Sequence, residues 1–353
     1  MKEKMGMNKR IEYFDIAKGI AILCIIAGHL GNARINQFVF TFHVPLFFLV
    51  SGYFLNDRLP LKEYAKNKAK QLMIPYAVAW AFIMPRQVHG AYQWLGTFEA
   101  AWKTVVNQVL AGLYGNGSEI HEIWIGEGFC VPTVGAIWFL PALFFALIIV
   151  RYFMQWRHCG VCIFFIALLG FTSSGAAWMP LSIQSGMVAA SFVYLGMLAR
   201  EHGVMEKKLP KEISAGIMAL WVFCILFCGE MYLVENRFNH GLLDVAGALA
   251  GSYVVLRFSK VLEEKAKWIS RVLLFFGRNS LIVLCVHAVE LKGMPWEEIL
   301  KGFLGHGVPP VVVYLVAKVA FCAVVTWVIL EIRHFWRRFG RHSVKSGENK
   351  VEK

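Results

Sequence analysis

The sequence predicts an all-α fold, a polytopic integral membrane helix bundle of about ten transmembrane helices. Three observations carry that expectation. Of 353 residues, 58% are hydrophobic and only 17% are charged, whereas soluble domains carry about a quarter charged residues. The apolar residues come in long runs near the ~20 residues that cross hydrocarbon as a helix, without the period-2 alternation of membrane strands. The Lys and Arg residues fall between these runs, and mostly in alternate gaps.

In chain order, spans are expected over residues 15–30, 38–55, 72–84, 136–153, 159–171, 183–199, 213–229, 241–256, 272–289 and 311–332. The N-terminal segment, every second loop and the tail together hold 27 of the 36 Lys and Arg residues, and the opposite loops hold six. Basic loops stay in the cytoplasm, so this alternation predicts a multi-pass protein of the cytoplasmic membrane with both termini inside. Residues 1–14 are then a cytoplasmic N-terminal segment, residues 15–332 a transmembrane domain, and residues 333–353 a basic cytoplasmic tail. The longest connection, residues 85–135, faces outward. It carries Glu99, Glu119, Glu122 and Glu127, and an interfacial helix is expected near residues 92–113. A spacer and a part of an acceptor-binding surface are both open readings of it.

Composition also excludes some functions. The net charge of +13 sits in the loops and forms no basic face interleaved with exposed aromatics, so no nucleic acid is expected as a partner. Seven of the eight cysteines (Cys24, Cys159, Cys162, Cys224, Cys228, Cys285 and Cys322) lie in apolar stretches, where Cys behaves as a small hydrophobe. Cys159 and Cys162 form a lone C-x-x-C with no second pair or His beside it, so no metal is expected. The first apolar run is interrupted by Lys18, ends at His29 and lacks a small-residue cleavage site, so it is expected to be retained.

Ionisable groups inside a span cost about 2.5–3.5 kcal/mol even on lenient insertion scales, so each asks for a reason. Lys18 and His29 are eleven residues apart, about three helical turns, which places both on one stripe with ~16 Å between them. Counted from the cytoplasmic ends, His29 and His43 fall at similar depth, and His287 lies toward the outer side of its own span. Three imidazoles at similar depth on three helices form a candidate cluster. Each has a structural alternative. Lys18 could snorkel and pair with Asp15, and His43 could hydrogen-bond a neighbouring helix. Arg278 and Asn279 could be an anchor and a helix cap, and Trp138 could belong to an interfacial belt. Ser51-Gly52 reads as a small-residue packing notch. Asp244 and Lys318 are expected to neutralise each other.

The residues Asp15-Ile-Ala-Lys18 leading to His29, followed by Phe42-His43-Val-Pro-Leu-Phe-Phe-Leu-Val-Ser51-Gly52-Tyr53-Phe54, resemble the acyltransferase 3 family. Ala136-Ile-Trp138-Phe-Leu-Pro and the late Gly277-Arg278-Asn279-Ser280-Leu…His287 are similar to its fucose 4-O-acetylase-like branch. The resemblance runs from about Arg10 to Ile332. It implies a ten-span enzyme that takes an acyl group, usually acetyl, from cytoplasmic acyl-coenzyme A and places it on a sugar hydroxyl. It also implies that His29 is the histidine of the family's R-x10-H motif, with Lys18 standing where the family has Arg. Lys is a point donor without the bidentate fork of Arg.

The functional expectation is therefore a membrane O-acyltransferase with acetyl-CoA as donor substrate, a sugar or glycan acceptor and the lipid bilayer as its solvent. His29, His287 and His43 are the candidate catalytic residues. Lys18, Arg278 and Asn279 are candidates for holding the donor's phosphate end, and Trp138 for binding the acceptor. A carrier or flippase for a lipid-linked sugar, with the histidines as a proton relay, is the alternative, although no repeated halves are evident. A non-catalytic scaffold would leave the buried Lys18 and the histidines unexplained.

Overall fold

A computed structural model of the chain describes residues 10–119, 131–304 and 307–348. Lys2, Lys4, Lys9, Glu122, Glu127 and the last basic residues, Lys350 and Lys353, lie outside them. The described residues form helices and no β-strand: α1 (Glu12–Gly28), α2 (Ala33–Val39), α3 (His43–Tyr53), α4 (Leu61–Leu95), α5 (Phe98–Tyr114), α6 (Phe139–Phe153), α7 (Cys159–Ser174), α8 (Ile183–Glu201), α9 (Lys211–Phe223), α10 (Leu242–Lys265), α11 (Lys267–Arg278), α12 (Ser280–Gly293), α13 (Trp296–Leu300) and α14 (Pro310–Glu348).

Each expected span is helical, but not all are built as expected. Among the described residues, six helices are long and apolar enough to cross a bilayer, and a seventh results if the bent pair α11–α12 is one span. The remaining three expected spans fall on α1, α4 and α7. The α1 helix has 17 residues and begins with Glu12, Asp15 and Lys18, while α7 is apolar but has 16 residues. The α4 helix is longer than the expected 72–84, with 35 residues through Pro75 and Pro85, because its first turns are the basic loop itself. It ends at left-handed Gly96, and the next helix begins at Phe98 with the Thr97 hydroxyl accepting from the Ala100 N–H. The helix anticipated near 92–113 is thus two pieces of chain, the end of α4 and α5.

Two spans are interrupted. The second breaks between α2 and α3 at residues 40–42. There the Thr41 hydroxyl donates to the Phe38 carbonyl (2.8 Å) and accepts from the Trp221 indole (3.0 Å). The ninth, expected as one helix, is two that meet at 73°. Asn279 sits at the corner and donates its amide to the Phe275 carbonyl (2.8 Å), so a side chain replaces the helical partner lost at the bend. Small residues set the packing. A Cβ on Gly277 would lie 1.7 Å from the Asp15 carbonyl, and one on Gly19 would lie 2.2 Å from the Leu273 carbonyl. The α1 and α11 backbones therefore touch, side by side, which only glycine permits. Gly52 of α3 and Gly196 of α8 meet Val193 and Leu49 in the same reciprocal way, so Gly52 is a packing notch. The result is a core in which α8 packs on α3, α6 and α7, while α1 packs on α11, α10 and α3.

Candidate active site

His29 caps the C-terminal end of α1, where the last carbonyls have no backbone donor. Its Nδ1 lies 2.8 Å from the Ile25 carbonyl and 3.2 Å from Nε2 of His287. A carbonyl only accepts, so Nδ1 carries the proton and Nε2 of His29 is the bare nitrogen. His287, on α12, is fully buried, and its Nδ1 lies 2.7 Å from Glu290 Oε1 one turn further on. The carboxylate accepts there, which leaves Nε2 of His287 as a second acceptor for the single Nδ1 proton of His29, shared with the Ile25 carbonyl. The tautomers of both rings are thus set by their neighbours.

Glu290 is 1% exposed, and a buried carboxylate needs partners. It has three: His287, the Trp296 indole N–H on its Oε2, and the Lys318 ammonium at 3.1 and 3.3 Å. Lys318 comes from α14 and lies 5.4 Å over the Trp296 ring. The expected pairing of Lys318 with Asp244 does not occur, because Asp244 caps the chain turn at His240 instead, accepting from its backbone N–H (2.8 Å). Cys322 stands beside His287 and Glu290 at ligand-like spacing, but the Lys318 ammonium already supplies the cation there.

The His29 ring is the exposed end of this chain, and it opens into a cavity of about 220 Å³. His43, Trp138, Phe40, Tyr232 and Glu235 line the same cavity. His43 is buried, donates from Nδ1 to the Val39 carbonyl and meets Phe40 edge-on at 5.0 Å, so its bare nitrogen is also Nε2. The structure therefore brings together four of the residues singled out from sequence (His29, His43, His287 and Trp138). It does not bring the other three to this cavity. Lys18, Arg278 and Asn279 gather at the opposite end of α1. Lys18 lies 2.7 Å from Asp15, and Arg278 lies 2.6 Å from Glu12 and 3.9 Å from Asp15, with Arg10 paired to Asp15 as well. Three cations share two carboxylates, so one positive charge remains unbalanced in this collar.

Sequence reasoning missed Glu290, which lies one residue past the expected end of the span. The available signal was its i,i+3 spacing from His287 on one helix face. It also missed a cavity of about 1010 Å³ between α1, α9, α10 and α11. Lys208, Arg257 and Lys260 line one part of it, and Phe38, Phe42 and Trp221 another. Arg257 and Lys260 donate to backbone carbonyls of Met205 and Lys207.

A family model described as an acyltransferase domain matches residues 11–330. Among curated proteins, the nodulation protein NolL of Sinorhizobium fredii is 26% identical over 190 residues, covering 48% of this chain and 45% of that protein. The nodulation protein NolL of Mesorhizobium japonicum is 34% identical over 85 residues, 20% of this chain and 23% of that protein. The chain thus spans less than half the length of either relative. No solved structure matches it significantly. The family match encloses α1 to the first part of α14, and with them every member of the histidine–glutamate chain, so the chain belongs to the acyltransferase 3 family.

Proposed function

We propose that this acyltransferase moves an acetyl group from cytoplasmic acetyl-CoA to a hydroxyl of a sugar or surface glycan. The observation that carries this reading is the hydrogen-bonded chain from cavity-facing His29 through buried His287 to Glu290. A positioned imidazole with a bare Nε2 is the group needed to take a proton from an alcohol. In this mechanism the acceptor O–H gives its proton to His29 Nε2 as its oxygen attacks the thioester carbonyl. The tetrahedral adduct then expels coenzyme A thiolate, which recovers the proton from His29. His29 is cationic in between, and Glu290, acting through His287, stabilises that charge, as the carboxylate does in a Ser-His-Asp triad.

His43 offers only an acceptor nitrogen to the cavity, which suits a second hydroxyl of the acceptor and so would orient the sugar. Trp138 and Tyr232 supply flat apolar walls beside it, as expected of a small-molecule site with few polar groups. The donor is proposed to enter from the basic side. Its phosphates would meet the collar of Lys18 and Arg278, with Asn279 at the bend, and the cations Lys208, Arg257 and Lys260 of the larger cavity beside α1 and α11. The arm then crosses the ~16 Å of α1 to present its acyl group beside His29. This route requires the α1 start to face the cytoplasm, as the distribution of basic loops supports.

The experiment is to incubate membranes bearing the protein with acetyl-labelled acetyl-CoA and follow the label into the glycan fraction. Incorporation that depends on the protein is the expected result. Sugar movement across the membrane without label incorporation would favour a carrier.

A further inference from the structure

We infer that Cys228, His240 and Asp244 form a three-ligand site for a zinc-type divalent ion that clamps one wall of the active-site cavity, with water completing the ion's coordination. Ligand atoms of Cys228, His240 and Asp244 lie within 4.8 Å of one another. Cys224, one turn earlier, is a second free thiol that donates to the Leu243 carbonyl (3.7 Å) and stands outside the ligand set. Cys228 and Asp244 are buried, whereas His240 is exposed, so the site is reached from its one exposed ligand.

The geometry suits an ion. His240 Nδ1 is 3.6 Å from Asp244 Oδ1, close to the ~3.4 Å edge of a tetrahedron whose bonds are ~2.0–2.2 Å long. Asp244 Oδ2 accepts the His240 backbone N–H at 2.8 Å. That bond fixes the carboxylate and leaves Oδ1 as the ligand, which is what an outer-shell contact does in a metal site. One thiolate, one imidazole and one carboxylate are a donor set that selects zinc over calcium or magnesium.

Sequence spacing points the same way. The three residues read C-x11-H-x3-D, a close pair and a third ligand separated by a loop, and zinc held by three protein ligands keeps water in its fourth position. Cys228 ends a single π-helical turn, Cys224–Cys228, closed by the Gly229 N–H on the Cys224 carbonyl (3.0 Å). Widened turns of this kind inside α-helices occur mostly at functional sites. Here the extra residue leaves both thiols buried on one side while Leu226 and Phe227 face outward.

The loop after Cys228, residues 229–241, contributes Met231, Tyr232, Leu233, Val234 and Glu235 to the cavity that holds His29. An ion joining the end of the α9 segment to the start of α10 would pin both ends of this loop. Binding deprotonates the thiol and releases its proton, so occupancy falls in acid.

The test uses the full-length protein in detergent, stripped with a chelator and then titrated with cobalt(II). One cobalt per chain is expected, with the ligand-field bands of a tetrahedral ion and a thiolate-to-cobalt charge-transfer band, all bleached by zinc. Cys228→Ser should lose the charge-transfer band or bind no cobalt. His240→Ala, at an exposed position, should weaken binding at least tenfold while the protein stays monodisperse. Cys162→Ser should bind as the wild type does. Wild-type protein that takes up no cobalt with its thiols reduced would overturn the site, as would unchanged bands in both Cys228→Ser and His240→Ala. Trapping of Cys224 and Cys228 as a disulfide in the protein isolated from membranes would also overturn it.

Discussion

The Nε2 of His287 lies 3.2 Å from Nδ1 of His29, although 258 positions separate them in the chain. In the proposed mechanism His29 supplies the accessible nitrogen, and His287 links it to the buried carboxylate of Glu290.

Glu290→Gln should lower transfer by about 10²–10⁴-fold, because a neutral amide cannot stabilise the imidazolium, as in the equivalent change of a triad. It also leaves Lys318 buried without its counter-charge. Lys318→Met alone should cost about 3–5 kcal/mol of stability, since it strands the carboxylate. The double variant Glu290→Gln/Lys318→Met should regain protein level and stay inactive. Thermal aggregation midpoints and transfer rates of all three separate stability from chemistry, and an active double variant would remove Glu290 from the mechanism.

Gly277→Ala should destabilise the protein by about 1–3 kcal/mol, the usual cost of forcing a methyl into a packed contact. The new Cβ would sit 1.7 Å from the Asp15 carbonyl, so α11 must move off α1. Gly302, with nothing within 4 Å of its Cβ position, is the control, and Gly302→Ala should leave the melting midpoint unchanged.

The helical class and its membrane setting are legible in residue order, because apolar runs and basic loops are properties of the chain itself. The histidines are legible too, since polar groups inside apolar runs stand out. What residue order hides is pairing between distant helices. Lys318 is conspicuous in its run, but only packing shows that its carboxylate is Glu290 and not Asp244. The bend at Asn279 is half legible, since polar Arg278-Asn279-Ser280 interrupts the apolar run and Asn279 reads as a helix cap, but no proline marks a turn and the 73° angle is set by packing. Cys224 and Cys228 read singly as small hydrophobes, and only the fold brings His240 and Asp244 close to Cys228.

Lys18→Ala should raise KM for the donor, and Lys18→Arg should largely preserve it, because the fork of Arg also grips phosphate. Lys18 is ~16 Å from His29 along α1, too far to touch the reacting carbonyl. Its 2.7 Å pair with Asp15 gives a competing expectation, in which Asp15→Asn mimics Lys18→Ala through lost protein level. Donor KM and abundance for the three variants decide between them, and an unchanged KM in Lys18→Ala removes Lys18 from donor binding.

The tail beyond Ile332 carries seven basic residues and should lie in the cytoplasm. A reporter active only outside the membrane, fused after Glu352, should stay silent. Activity there would mean that the number of crossings is odd.

The most direct measurement is the rate of acetyl transfer from labelled acetyl-CoA to glycan in membranes carrying His29→Ala, compared with wild type at equal protein level. His29 caps a helix at an exposed end, so the variant should insert and accumulate normally. Transfer should fall by roughly 10²–10⁴-fold, the worth of a positioned general base. Near-normal transfer by the correctly inserted variant would contradict the account.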